Sequence, residues 1–281
     1  MSALALGMVA AFAWGFHDIC VRSVSQNTPL LASLLTVFLA GLVFHLGLMG
    51  FTDGFQPLGG AALGLATLSG LCFLVASLGL YGAFKRGPVR LVAPIIASYP
   101  ILSVGWAAAR GAQVTPYQWL AVLAIILGVS VVAALADHGS EDVLPKGPTV
   151  LYAAIAAIGF AGTFAIGQMA AEMSHDMTVT LVMRVTAILL LVGIIAAWKL
   201  PYWPGGKALF VLALMGIADG IALISVLSAA GLPDAQYAAV ASSCFGLLTI
   251  VMAWAILREE MTNAQWLGCA VTFCGIGYLA T

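Results

Sequence analysis

The chain has 281 residues, 63% hydrophobic and 7% charged, with 10 Lys+Arg against 11 Asp+Glu and a mean hydropathy of +1.10. A soluble domain carries roughly 25% charged residues, so this composition excludes a water-covered surface and makes lipid the solvent. A net charge of −1 also excludes the basic footprint of a nucleic-acid binder.

A hydrocarbon core of about 30 Å takes roughly 20 apolar residues per helix. Breaks where Pro, Gly and charge cluster place ten spans near 3–22, 28–49, 60–84, 88–109, 116–136, 149–170, 178–198, 207–229, 234–257 and 263–280. The first span begins directly after Met1 with no basic stretch or cleavage site, and reads as a retained helix. The ~10-residue alternation of a membrane barrel is absent. The five cysteines, Cys20, Cys72, Cys244, Cys269 and Cys274, fall inside apolar runs without paired-ligand spacing. They read as small core residues, neither a disulfide framework nor a zinc site.

In span 1, Trp14, His17 and Asp18 sit at i, i+3 and i+4 and share one side of the helix. An interior face of this kind suits a small amphipathic solute or a proton relay; the alternative is that His17 and Asp18 snorkel to the interface beside Arg22. His45 in span 2 reads as a helix contact, and Tyr81 near the end of span 3 as a candidate for a pathway mouth. Span 4 carries Pro94 and Pro100 around Ser98 and Tyr99. Each proline withholds an N–H and frees the carbonyl four residues back, tolerable at depth where protein, water or ligand satisfies it. The alternative is a kinked packing helix. Gln168 in span 6 reads as a further helix contact.

Arg184 in span 7 reads as structural, paired with Glu172 or a helix end. Span 8, "LALMGIADGIALIS", places Asp219 mid-membrane beside Gly216 and Gly220. A carboxylate there costs about 2.5–3.5 kcal/mol on insertion scales, and the small-xxx-small pair turns it toward a packed helix or cavity. It is the leading candidate for carrying a proton or anchoring a substrate amine; the alternative is a protonated side chain bonded to a neighbouring helix. In span 9, "AASSCFGLL" sets Ser242, Ser243 and Gly246 at the depth of Tyr99, and the two segments are expected to face each other. Glu259 and Glu260, beside Arg258, read as a solvated ion cluster, and Trp119, Trp198, Trp203 and Trp266 as helix contacts or an interfacial belt.

The most polar segment, "DHGSEDVLPKGP", falls near the middle of the chain. An offset of 147–148 residues lays "TPYQWLAVLAIILGV" on "TNAQWLGCAVTFCGI", pairing Gly128 with Gly275, and "FAWGFHDI" on "FAGTFAIG". Five helices per copy, an odd number, would make the second copy enter the membrane inverted. The expected organisation is a first repeat at 1–137, a linker at 138–148 and an inverted repeat at 149–281. Arg22, Lys85, Arg86, Arg90, Lys146, Lys199, Lys207 and Arg258 follow odd spans, against Arg110 alone on the other side. The count places odd loops in the cytoplasm and both termini outside.

"FAWGFHDICVRS", "LVMRVTAILLL", "APIIASYPILSVGWA" and "AILREEMTNAQWLGCAVTFCGIGYL" together resemble the helix signatures of EamA-type members of the drug/metabolite transporter superfamily. In that likeness Arg22, Arg184, Pro100 and Glu259 fall on the basic, basic, proline and acidic positions. The resemblance implies an all-α polytopic membrane protein of ten helices in two inverted five-helix halves, moving metabolites or amino acids across the cytoplasmic membrane, often outward. The sequence departs from the pattern at Ala112, at Thr36 and at Gly162–Thr163. The family also often keeps both termini in the cytoplasm, against the charge count.

Without a G-x-S-x-G, H-E-x-x-H or P-loop, and without rings of like residues, an enzyme or a channel fits less well than a secondary transporter. The expected solute is an amino acid or amine-bearing metabolite exported by alternating access; the alternative is a facilitative uniporter or channel-like pore without ion coupling. The candidate substrate or proton-coupling residues are Trp14, His17, Asp18, Tyr81, Ser98, Tyr99, Asp219 and Ser243. No cofactor or metal is expected. The expected partners are a small-molecule substrate and the bilayer, with monomer and homodimer both open.

Overall fold

A computed structural model describes residues 1–51, 55–109, 114–135, 145–230, 232, 238 and 241–279. Arg110, Ala112, most of the polar linker and the start of the ninth span lie outside them. The chain is all-α among the described residues, in ten spans. The first three are α1 (Ala3–Val24), α2 (Leu30–Met49) and α3 (Gly60–Arg86). The fourth is broken into α4 (Val89–Ala97) and α5 (Pro100–Ala109), and the fifth is α6 (Pro116–Ala134). The second half has α7 (Lys146–Glu172), α8 (Asp176–Ala197) and α9 (Gly206–Leu227). It continues with α10 (Phe245–Met252), which runs into a π-helical turn at Ala253–Leu257, and α11 (Asn263–Leu279). By length and composition α1, α2, α3, α7, α8 and α9 can each cross a membrane.

The polarity of a soluble protein is reversed. Phe12, Val43, Leu120, Leu189, Phe210 and Leu267 are exposed, while His17, Asp18, His45, Arg184 and Asp219 are buried. Hydroxyls inside the spans fold back onto their own helix: Thr36 donates to Ala32 O, Thr163 to Gly159 O, and Thr249 to Phe245 O, each at 2.8 Å. A donor without water finds an acceptor within its own segment. The break in span 4 is local in the same way. Pro100 has no N–H to give; Ser98 and Tyr99 instead close short turns, donating from their backbone N–H groups to Ile95 O and Ile96 O, both at 3.3 Å. Ser98 Oγ adds a second donation to Ile95 O at 2.7 Å.

The internal repeat has a physical basis in each shared residue. Thr115 and Gln118 form a reciprocal cap at the start of α6: Thr115 N donates to Gln118 Oε1 at 2.8 Å and Gln118 N to Thr115 Oγ1 at 3.3 Å. Thr262 and Gln265 repeat it at the start of α11, at 2.9 and 3.2 Å. This is the capping box, which satisfies two orphan N–H groups at once. The shared glycines mark where α6 and α11 touch. A Cβ on Gly128 would stand 2.9 Å from Thr272 N, and one on Gly275 would stand 2.9 Å from Ala121 O and 2.7 Å from Ile125 Cγ1. A shift of 147 residues carries Gly128, Ala121 and Ile125 onto Gly275, Gly268 and Thr272, so each helix meets the other through equivalent positions.

The same exchange holds elsewhere. α1 packs on α9 and α10, and correspondingly α7 packs on α3 and α4; α2 lies along α9 as α3 lies along α8. A Cβ on Gly216 would meet Val37 O and Ala40 Cβ, the latter at 2.7 Å, and one on Gly70 would meet Met183 O and Thr186 Cβ, the latter at 2.8 Å. Gly70, Val37 and Ala40 map onto Gly216, Met183 and Thr186 with an offset of 146. Packing therefore corrects the register expected for the second helix: Phe38, not Thr36, occupies the place equivalent to Arg184.

Candidate functional site

Four buried ionisable side chains meet between the halves. Asp219 on α9 and Arg184 on α8 are only 7% and 0% exposed at their side chains, and Arg184 Nη1 stands 2.9 Å from Asp219 Oδ2. The N–H bonds are not aimed along that line, so the contact is an ion pair without a hydrogen bond. Trp14 on α1 donates its indole N–H to Asp219 Oδ1 at 3.2 Å. The expected pairing of Arg184 with Glu172 is thus replaced by Asp219. The guanidinium fits because Gly41 on α2 has no side chain; a Cβ there would overlap Nη1. Its carbon lies 5.8 Å from the centre of the Phe73 ring, within the range of a cation–π contact.

The second pair is His17–Asp18, one helical turn from Trp14. His17 Nδ1 is 2.9 Å from Asp18 Oδ1, and His17 Nε2 is 3.2 Å from Tyr81 Oη on α3. The residues are 5% and 1% exposed, which excludes snorkelling to the interface. With Tyr81 donating to Nε2 and Nδ1–H donating to Oδ1, every hydrogen in the chain has one acceptor. Asp18 Oδ2 is buried and takes no hydrogen bond from any described residue.

Trp14, His17, Asp18, Tyr81 and Asp219 line one cavity, closed by Phe160 and Phe164 of α7 and Phe245 of α10. Leu34, Val37 and Phe38 of α2 and Ser77 and Leu80 of α3 complete it. Among these side chains the centre of a water molecule can reach only about 20 Å³. That is room for about one water: the cavity is narrow. The Trp14 ring lies 5.4 Å from Phe164, 6.2 Å from Phe245 and 6.3 Å from Phe160, within the usual spacing of aromatic pairs.

Ser98, Tyr99 and Ser243 do not line this cavity. Tyr99 and Ser242 share a 2.7 Å hydrogen bond where α4 and the start of span 9 meet, and a Cβ on Gly246 would lie 2.6 Å from Ala97 Cβ. The two segments do face each other, and Tyr99 reaches the site through Phe164, 5.3 Å from its ring. Gln168 Nε2 donates to Val226 O at 3.4 Å and His45 Nε2 to Met177 O at 2.9 Å, both helix contacts as expected.

One turn beyond Asp18 on α1, Arg22 belongs to an ionic cluster. Glu259 accepts from Val89 N at 3.1 Å and Arg90 N at 3.3 Å, the first N–H groups of α4, and lies 3.8 Å from Arg22 Nε. Arg22 donates to Phe84 O at 2.8 Å and Arg90 to Glu260 O. The solvated cluster expected at Glu259 is instead a latch joining α1, α3 and α4 to the end of α10. Arg258 presents it from a left-handed backbone, φ 56°, at the end of the π-helical turn.

The aromatic box was missed in the sequence because Phe160, Phe164 and Phe245 are ordinary residues for a membrane helix. Arg184–Asp219 left a readable signal. Arg184 lies 13 residues before the end of α8 and Asp219 lies 13 residues after the start of α9, so antiparallel neighbours hold them at one depth. Under the exchange of halves, Arg184 and Asp219 map onto Phe38 and Phe73 at the offset of 146, two rings stacked 5.0 Å apart. The charges occupy one of two equivalent places, and aromatics fill the other.

Among solved structures, a chain titled only "Crystal structure of protein" matches with a TM-score of 0.71 over 99% of this chain and 97% of that one. At 17% identity that likeness shows the fold alone. Comparison with curated proteins gave no match. The family model described as "EamA-like transporter family" matches residues 1–134 and again residues 147–281, and the chain therefore belongs to the EamA-like transporter family.

Proposed function

We propose that the chain is a secondary transporter carrying small amine-bearing organic solutes, amino acids or related metabolites, outward across the cytoplasmic membrane by alternating access. The family gives the coarser statement, a multi-pass membrane transporter of small solutes. The finer reading rests on one observation: a narrow, aromatic-walled cavity between the halves, holding carboxylates on both α1 and α9. Buried charge inside a membrane is costly and faces pathways or partners, and inverted halves that rock about a shared site are a recurrent transporter design.

Purified protein in proteoliposomes should exchange a labelled member of an amino-acid and amine panel, measured with and without a pH gradient. Asp219→Asn keeps the size of the side chain and an acceptor for Trp14, but leaves Arg184 without its counter-charge. Exchange by this variant should fall about tenfold or more, the loss of one charged contact of about 1.5–3 kcal/mol. Wild-type rates and an unchanged pH profile would remove Asp219 from the transport site.

A further inference from the structure

The two carboxylates of the cavity are not equally satisfied. Asp219 is compensated by Arg184 at 2.9 Å and by the Trp14 N–H at 3.2 Å. Arg184 is wholly buried, walled in by Gly41 and the Phe73 ring, and is not among the cavity's lining residues. The guanidinium is therefore not offered to a solute, and His17, which does line the cavity, has both ring nitrogens committed to Asp18 and Tyr81. Asp18 is different. It lines the cavity, is 1% exposed, accepts from His17 on Oδ1 alone, and has no described partner for Oδ2. A carboxylate has about four acceptor sites to fill, and a buried one is found paired. His17 bridges Tyr81 and Asp18 through both ring nitrogens, which leaves Asp18 Oδ2 without a described partner on the wall of an aromatic box.

We infer that Asp18 is the substrate anchor and that it takes an organic ammonium ion bearing no carboxylate. This rests on the transport reading above and narrows it, from amine-bearing solutes in general to monocations. The ammonium would bond Oδ2 while the faces of Trp14, Phe160 and Phe164 surround its carbon stem, the setting in which a desolvated cation gains most from aromatic faces. A zwitterionic amino acid would bring a carboxylate into the same box, where the one basic side chain on the wall among the described residues, His17, has both ring nitrogens committed to Asp18 and Tyr81. Discrimination of this kind comes from the group that the site leaves unpaired.

The test compares matched pairs, phenethylammonium with phenylalanine and isoamylammonium with leucine, by calorimetry on the full chain in detergent near neutral pH. Each ammonium ion should bind about tenfold or more tightly than its amino acid, and Asp18→Asn should cost the ammonium ion a similar factor. Equal or tighter binding of the amino acids overturns the inference. So does an absence of binding by either ammonium ion, or an Asp18→Asn protein that binds them as before, as an Asp18 already neutral would predict. The wild-type comparison stands alone should the variant not fold. Counterflow separates the two readings: ammonium ions that bind but are not exchanged leave the anchor standing and remove the transporter.

Discussion

A full charge at Arg184 is held where no water comes, and its environment is built to keep it there. Removing one member of a buried pair leaves the other uncompensated, at about 3–5 kcal/mol, whereas replacing both by apolar groups of similar size is often neutral or stabilising. The equivalent pair in the other half, Phe38 and Phe73 stacked at 5.0 Å, shows that the fold accepts an uncharged solution at this position. Arg184→Leu alone should therefore destabilise the purified protein strongly. Arg184→Leu combined with Asp219→Leu should recover most of that loss while exchange stays absent. Unfolding in mixed micelles reads the first effect and proteoliposome exchange the second. A double variant no more stable than the single would make the pair a requirement of the fold rather than of the site.

Helices in lipid gain little from apolar burial against one another and associate through close packing, so element contacts here are decided at glycines. The α2–α9 crossing flanks the ion pair through Gly41, and its tightest point is Gly216, where an added Cβ would meet the backbone of Val37 and, at 2.9 Å, Gly41 N. Backbone on α2 cannot swing aside. At Gly220, one turn on, the first obstacle is the Phe44 ring at 2.8 Å, and a ring can turn. Gly216→Ala should cost about 1–3 kcal/mol by overpacking and Gly220→Ala less, while Gly193→Ala, with nothing within 4 Å, should be silent. Thermal unfolding in detergent ranks the three; equal costs at 216 and 220 would show that the crossing is loose. The sequence announced this crossing through the Gly216–Gly220 spacing, and it announced the spans because length and hydropathy are local. It hid the partner of Asp219, since pairing across helices is set by depth and register rather than by neighbours in the chain. An acid mid-span looks unpaired until α8 is laid beside it.

At the scale of the molecule, two equivalent seams have been put to different uses. Along α3 and α7 the backbones touch, with a Cβ on Gly159 meeting Ala76 at 2.7 Å and one on Gly79 meeting Tyr152 O at 2.7 Å. The equivalent seam between α1 and α9 instead holds Trp14, Asp219 and the cavity. Alternating access, as proposed, needs the halves to part around that second seam, and the ionic latch ties α1 of the first half to the end of α10 in the second. Two costly features deliver the latch: a π-helical turn and a non-glycine residue, Arg258, in the left-handed region, the latter worth about 1–3 kcal/mol of strain. Such strain persists where surrounding contacts hold it, and Glu259 supplies them through Val89 N, Arg90 N and Arg22. If this end opens in each cycle, fixing it shut must stop the cycle without disturbing the site. Arg22→Cys with Glu259→Cys, in a protein freed of its five native cysteines, places two thiols where the side chains now lie 3.8 Å apart. A short bifunctional thiol reagent should arrest exchange, a reductant should restore it, and calorimetric binding should survive bridging only for ligand already enclosed. Exchange that continues with the bridge complete would show that the solute passes without parting these helices, and would place the moving gate at the opposite end of the bundle.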